Sequence, residues 1–156
     1  MEHRKTILRK IPSPLTIVTS SYHGQTTAAV VTFLTQTSID PPLITMALRP
    51  GSDIYEIVKA SGKATIHFPS KEQQSLTAQF FKIKEATENS LNGNEFSLSN
   101  DGFAHLKDIP MILDCEVREI VEQGDHHLAV CEVINTSLVN DYDTLLLSDT
   151  NWKYGG

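Results

Sequence analysis

The sequence lacks the long apolar runs and the excess of positive charge that mark two broad classes of protein. No segment of its 156 residues approaches the ~20 apolar residues of a membrane-spanning helix. The charged start, MEHRKTILRK, is not followed by the apolar stretch of a signal peptide. The net charge of −6 argues against nucleic-acid binding, because phosphate neutralisation requires clustered Lys and Arg. We therefore expect a cytoplasmic protein that binds neither membranes nor nucleic acid.

The sequence also lacks the common self-contained catalytic motifs. Its 8 glycines form neither G-x-G-x-x-G nor G-x-x-x-x-G-K, and no G-x-S-x-G elbow is present. The 6 histidines show no metal-ligand spacing, so we predict no metal site. Cys115 and Cys131 are the only cysteines, and a reducing compartment would leave them as thiols. Such a chain is either a passive binder or a protein that uses an organic cofactor for its chemistry.

Strand-forming residues, in contrast, are abundant. Stretches rich in Val, Ile, Thr and aromatic residues are bounded by Gly, Pro, Asp or Asn. Because these strands do not alternate regularly with helices, and because closure removes exposed sheet edges, the pattern predicts a mainly β fold. We expect a closed antiparallel Greek-key barrel in a single domain over residues 1–156. The predicted strands are 14–22, 26–35, 42–48, 63–68, 111–122 and 126–139, with a short closing strand at 144–147.

Two predicted helices interrupt the strands. Residues 52–62 have Ser52 as a helix N-cap and Gly62 as a C-terminal stop. Residues 70–81 begin with the S-x-x-Q spacing of a capping box. Residues 84–108, with Asn, Ser and Gly throughout, are predicted to form a long excursion outside the sheet, and loops of that length are usually functional.

Three stretches carry the candidate chemistry. The strand 26–35 ends in Thr residues before a corner at Asp40-Pro41-Pro42, where a barrel rim could read the polar edge of a flat ring. RPGS (49–52) places an Arg at a helix N-terminus, an arrangement that favours phosphate. GDHH (124–127) places an imidazole in a hairpin turn. Taken singly, each stretch also has an ordinary explanation: β composition, a plain helix cap and a turn.

The order of these stretches along the chain resembles the flavin reductase-like family with the FMN-binding split barrel. The most specific parts are SIDPPLI (38–44) and GDHHLAVCEV (124–133), and the likeness covers about residues 12–154. It implies a six-stranded antiparallel Greek-key split β-barrel with two or three short helices. It also implies a homodimer with FMN near the interface, and NADH or NADPH as co-substrate.

The resemblance implies cofactor contacts from several parts of the chain. Thr32, Phe33 and Leu34 correspond to the rim segment that meets the isoalloxazine edge. The phosphate-side loop contributes the residues Arg49, Gly51 and Ser52.

Further implied contacts lie outside these two segments. His67 falls where relatives often have Asn, and Phe81 and Lys82 match a region that frequently approaches the phosphate. Gly124 belongs to the turn beside the flavin face, and Tyr154 matches a terminal aromatic residue near the cofactor.

The catalytic assignment falls on the hairpin turn. We expect Asp125 to orient His126, whose imidazole shapes the nicotinamide pocket or donates to the negative charge that develops on reduced flavin. Hydride would pass from NAD(P)H to flavin and then, as electrons, to a second acceptor such as a partner enzyme.

Two other functions stay open. The rim reads AVVTF where relatives read more like M-T-A-S-S, and Ile54 stands where a phosphate-contacting Thr is frequent. The first alternative is therefore an FMN-binding electron carrier without its own nicotinamide site. The second is a flavin-free β-barrel scaffold or small-ligand carrier.

Overall fold

A computed structural model describes residues 1–156 and contains one large and one small antiparallel sheet. The large sheet has the strand order β2-β1-β5-β9-β10-β4-β3, and every neighbouring pair is antiparallel. The elements are α1 (Arg4–Leu8), β1 (Thr16–Tyr22), β2 (Gln25–Val31), β3 (Leu34–Ser38), β4 (Leu43–Leu48), α2 (Asp53–Ser61), β5 (Lys63–His67), α3 (Gln74–Ala78), β6 (Ser90–Leu91), β7 (Asn94–Leu98), β8 (Ala104–Leu106), β9 (Ile112–Val121) and β10 (His127–Ser137).

The predicted strand 26–35 is in fact two strands. β2 and β3 lie at opposite edges of the large sheet, although only Thr32 and Phe33 separate them in the chain. The sheet must therefore curl until its two edges approach each other at these residues, which is how a barrel closes. The predicted mainly β barrel is confirmed, and the strand count rises from six to seven because of this break.

The prediction of a closing strand at 144–147 was wrong, because the segment does not form a strand. This segment makes only isolated bridges, Pro14 with Leu146 and Ser70 with Thr144, and a 3₁₀ turn follows at Leu147–Asp149. Leu145 is nevertheless buried, and its N–H donates to the carbonyl of Pro69 at 2.8 Å. The apolar run therefore anchors the chain to the barrel without forming a ladder.

Helix α2 was predicted correctly, and α3 is shorter than predicted. Ser52 Oγ accepts a hydrogen bond from the Tyr55 N–H at 3.3 Å, and Gly62 ends α2 with φ +69° in the left-handed region. The second predicted helix, 70–81, consists of a 3₁₀ turn at Lys71–Gln73 followed by α3. A third short helix, α1, lies in the charged N-terminal segment and was not predicted.

Residues 84–108 do lie outside the large sheet, but they are not one long loop. They form the small sheet β6-β7-β8, which covers a second hydrophobic cluster of the protein. Asn92 and Gly93 both have positive φ and make the tight turn from β6 to β7. The cluster beneath the small sheet comprises Ile17, Ala28, Phe80, Leu91, Phe96, Ala104, Leu106 and Ile109.

Buried polar contacts fasten the small sheet to the barrel, among them a bond from Thr19 Oγ1 to the Ala104 carbonyl at 2.6 Å. The Leu106 N–H donates to Nε2 of the fully buried His67 at 2.9 Å. His105 Nε2 lies 2.9 Å from Oδ1 of Asp114, a carboxylate on β9 that is 2% exposed. Because buried polar groups are costly to leave unpaired, these contacts fix the position of β8.

The main core lies between the large sheet and α2. It includes Cys115 and Cys131, which are both buried and free, as predicted. Burial raises the pKa of both thiols, that of Cys131 to about 12, so neither is a thiolate near neutral pH. No helix has the length and apolar character needed to cross a bilayer.

Candidate functional site

A cavity of about 450 Å³ opens where the β2–β3 break, the start of α2 and the C-terminal segment meet. Its size falls within the range usual for small-molecule sites, and 12 of its 17 lining residues are hydrophobic. It brings together seven of the residues proposed from the sequence. They are Thr32, Phe33, Arg49, Ser52, Phe81, His126 and Tyr154.

Thr32 forms part of the cavity wall at the break between β2 and β3. Its Oγ1 is the one buried side-chain oxygen or nitrogen in the chain that has no hydrogen-bond partner. A buried hydroxyl without a partner is costly, so a ligand atom that bonds this oxygen would remove that cost. The aromatic ring of Phe33 follows directly and is 38% exposed at the cavity.

The opposite part of the cavity is positively polarised by the start of α2. Ser52 Oγ donates to the Arg49 carbonyl at 2.6 Å and caps the helix, so the first-turn N–H groups are held in place beside the cavity. The Arg49 guanidinium is exposed and forms no ion pair within the chain. A helix N-terminus with an unpaired Arg is suited to a phosphate group.

A hydrogen-bonded chain of three side chains reaches the cavity from the β9–β10 turn. Asp125 Oδ1 lies 2.9 Å from His126 Nδ1, and His126 Nε2 lies 2.6 Å from the Tyr154 hydroxyl. The hydrogen bond from His126, reinforced by the charge interaction with His126, lowers the pKa of Asp125. The carboxylate therefore stays ionised and accepts a hydrogen bond from Nδ1–H, which leaves Nε2 directed toward Tyr154.

Aromatic rings enclose this chain. Phe33 meets the His126 ring edge-on at a centroid distance of 5.3 Å and lies 5.3 Å from the Tyr154 ring. The His126 side chain is 15% exposed, whereas that of Asp125 is 88% exposed. The imidazole is thus held inside the site, and the carboxylate orients it from the solvent side. His127, the next residue, points away and bonds the Tyr55 hydroxyl through Nδ1 at 2.8 Å.

His67 is a correction to the sequence-based site. It is fully buried, Nδ1 bonds the Ile17 carbonyl at 3.0 Å, and Nε2 accepts the Leu106 N–H. Burial is the main cause of a pKa lowered to about 4, so the imidazole is neutral at pH 7. Both ring nitrogens are used within the core, and His67 is not available to a cofactor.

Five other predicted residues do not line the cavity. Gly51, with φ +84°, and Gly124, with φ +75°, make the turns that precede lining residues. Leu34 packs against the main core, Lys82 is exposed next to Phe81, and Asp125 acts through His126. For the predicted residues as a set, contact with a cofactor stays a prediction.

Part of the C-terminal segment lines the cavity although the sequence patterns did not predict it. Leu147, Trp152 and Lys153 line the cavity together with Tyr154. The Trp152 ring meets Phe81 edge-on at 4.7 Å, so the segment packs across the cavity mouth. The cluster of aromatic and basic letters in NWKYGG was the available signal, since exposed aromatic residues often mark binding surfaces.

Comparison with known proteins gives a consistent result. The family described as "Flavin reductase like domain" matches residues 8–156. A "Probable flavin reductase" from Rhizobium meliloti is 27% identical over 76% of this chain, and the chain spans only 38% of that relative's length. An "FMN reductase (NADH)" from Agrobacterium fabrum is 22% identical, with 98% of this chain and 87% of the relative covered. The styrene monooxygenase flavin reductase from Pseudomonas putida S12 has the same fold, with a TM-score of 0.76, 19% identity and coverage of 92% and 91%.

Proposed function

The chain belongs to the flavin reductase-like domain family, and from that premise we propose that it is an FMN-dependent oxidoreductase that uses NADH or NADPH. Relatives carry the names FMN reductase (NADH) and NADH:FMN oxidoreductase, which supports this assignment. We take residues 1–156 as one such domain.

One observation carries the proposal: the polarity of the cavity matches that of FMN. An unpaired Arg49 at a helix N-terminus suits the phosphate, apolar walls suit the flat ring system, and the Thr32 hydroxyl lacks a partner that a polar ring edge could provide. Ile54, at the position where relatives often have Thr, contributes an apolar surface instead. The phosphate contacts therefore fall to Arg49 and the backbone N–H groups of α2.

Bound FMN would supply the redox chemistry by accepting hydride from a nicotinamide. The side chains of the protein position the two rings and hold a proton near them. Phe33 provides an apolar wall beside the His126 imidazole, which limits the orientations available to a second flat ring in the cavity.

His126 is the residue placed to manage charge and protons. With Asp125 accepting a hydrogen bond from Nδ1–H, a neutral imidazole accepts a hydrogen bond from the Tyr154 hydroxyl at Nε2, and a protonated imidazole donates one from Nε2. The Tyr154 hydroxyl adjusts to either state because it both donates and accepts. This chain of side chains can hold a proton close to the cavity without moving any backbone.

We further propose that two copies of the chain pair and that the protein works in the cytoplasm. Large apolar side chains stay exposed in the single chain, among them Ile39 at 87% and Val139 at 69%, and a subunit interface would bury such groups. The electrons would then pass to a second acceptor, such as an enzyme that uses reduced flavin. The family relative that serves styrene monooxygenase supports this arrangement.

The visible spectrum of the purified protein tests the function directly. With FMN added under anaerobic conditions, NADH or NADPH should bleach the flavin band in a stopped-flow experiment. Flavin binding without bleaching by either nicotinamide would instead identify an electron carrier. A protein that takes up no FMN in titration would refute the flavin assignment altogether.

A further inference from the structure

A second cleft adjoins the cavity, and its charge differs from that of the protein as a whole. The cleft, of about 740 Å³, lies between the N-terminal segment 5–13 and the C-terminal segment 147–156. It shares Phe33, Trp152 and Tyr154 with the first cavity. A ligand that fills the cavity can therefore extend into the cleft without leaving the protein surface.

All charged side chains that line the cleft are cationic. Four of the 13 Lys and Arg residues line it, and none of the 19 Asp and Glu residues does. Acidic residues outnumber basic ones in this chain, so composition does not explain the bias. None of the four takes part in an ion pair within the chain. They are Lys5, Arg9, Lys10 and Lys153.

One of these cations is fixed in place. Arg9 Nε donates to the Gly155 carbonyl at 2.9 Å, which ties α1 to the segment that lies across the cavity. The bond uses one guanidinium nitrogen and leaves the two terminal nitrogens without a partner in the chain. A guanidinium held in this way is prepared to bind a phosphate through two parallel hydrogen bonds.

The two nicotinamide dinucleotides differ in the charge of their adenosine half. In the Rossmann fold, sites for NADH place an Asp or Glu on the adenosine ribose hydroxyl, whereas sites for NADPH place an Arg near the extra ribose phosphate. The same electrostatic preference for cations beside that phosphate applies to any fold. This cleft has the cations and no Asp or Glu side chain. The pyrophosphate shared by both dinucleotides carries about two negative charges, and the ribose phosphate of NADPH adds about two more.

On the premise of the proposed function, we infer that this basic cleft binds the phosphorylated adenosine half of the reductant and selects NADPH over NADH. The selection differs from the reductant in the names of several relatives, which specify NADH. Lys5, Lys10 and Arg9 make the electrostatic contacts, and Phe33 marks the passage to the cavity where the nicotinamide ring reacts.

Steady-state FMN reduction with each reductant, at low and at high salt, tests the inference. The wild-type protein should show a kcat/KM for NADPH at least about 10-fold above that for NADH, because each charge-assisted contact contributes about one factor of ten. The double variant Lys5→Gln/Lys10→Gln should lose about 10-fold or more with NADPH and no more than about 3-fold with NADH. Added salt should reduce the wild-type preference.

The control is Lys84→Gln, because Lys84 is exposed, forms no ion pair and lines neither the cavity nor the cleft. It should behave as wild type with both reductants. Equal kcat/KM values for NADH and NADPH in the wild-type protein would overturn the inference and leave the flavin reductase assignment intact. Equal losses for both reductants in the double variant would also overturn it. Failure of both reductants to bleach the flavin would remove the proposed function itself.

Discussion

Replacing Thr32 with Val should stabilise the flavin-free protein and weaken flavin binding at the same time. The Thr32 hydroxyl is buried and unpartnered, and an unsatisfied buried polar group costs about 1–3 kcal/mol. Val keeps the β-branched shape and removes the oxygen, so we expect a gain of about 1 kcal/mol in unfolding free energy, or roughly 2–4 °C in Tm for a domain of this size. The lost hydrogen bond should raise the Kd for FMN by about 3- to 10-fold.

Two measurements on the same samples separate these effects. Calorimetry without flavin reports Tm, and titration of FMN followed by quenching of flavin fluorescence reports Kd. Thr16→Val is the matched control, since Thr16 is also buried but its Oγ1 donates to the Val31 carbonyl at 2.7 Å. That variant should be destabilised by about 1 kcal/mol. If Thr32→Val lowers Tm as the control does, the hydroxyl is not unsatisfied in the flavin-free protein. If its FMN affinity is unchanged, the hydroxyl has no part in binding flavin.

Three further substitutions test the roles of His126, Arg49 and His67. His126→Ala should slow NAD(P)H oxidation by about 10²-fold with FMN still bound, and equal turnover in stopped flow would contradict the role of the imidazole. Arg49→Gln should raise the Kd for FMN by about 10-fold but leave riboflavin affinity unchanged, because only FMN has the phosphate; equal losses for both ligands would rule out the contact. Burial lowers the pKa of His67 to about 4 in the folded protein, below its unfolded value of 6.5, so the unfolded state binds more protons between these values. The stability that His67 contributes is complete above pH 6.5, and up to about 3 kcal/mol of it is lost as pH falls toward 4. Urea denaturation of wild type and His67→Gln at several pH values should show that the free energy of unfolding falls less steeply in the variant.

The strands of the large sheet were predictable because their side chains alternate or form short β-branched runs between turn residues. The break at Thr32 and Phe33 was not, because both residue types favour strands and nothing local interrupts the pattern. The interruption comes from the tertiary demand that one strand reach the opposite edge of the sheet. The small sheet was missed although Asn92-Gly93 is a strong hairpin signal, since its strands are only 2, 5 and 3 residues long.

Residues of the candidate site that line the cavity were predictable where a turn motif carries a charged or titratable side chain. RPGS and GDHH each combine a turn with a charged or titratable side chain, and both Arg49 and His126 line the cavity. His67 could not be assigned correctly, because a strand pattern gives the parity of a residue but not which of two layers covers it. Here β8 lies over it and uses its ring nitrogen. The contribution of the C-terminal segment depends on packing between residues far apart in the chain, such as Phe81 with Trp152.

The aromatic contact at the cavity mouth gives the protein a built-in optical reporter. Trp152 is the sole tryptophan, so all indole emission arises from one point on the surface, 4.7 Å from the Phe81 ring. A flavin bound in the adjoining cavity would quench that emission by resonance energy transfer. Occupancy can therefore be read from intrinsic light output, without dyes or labels, in every variant that retains this side chain.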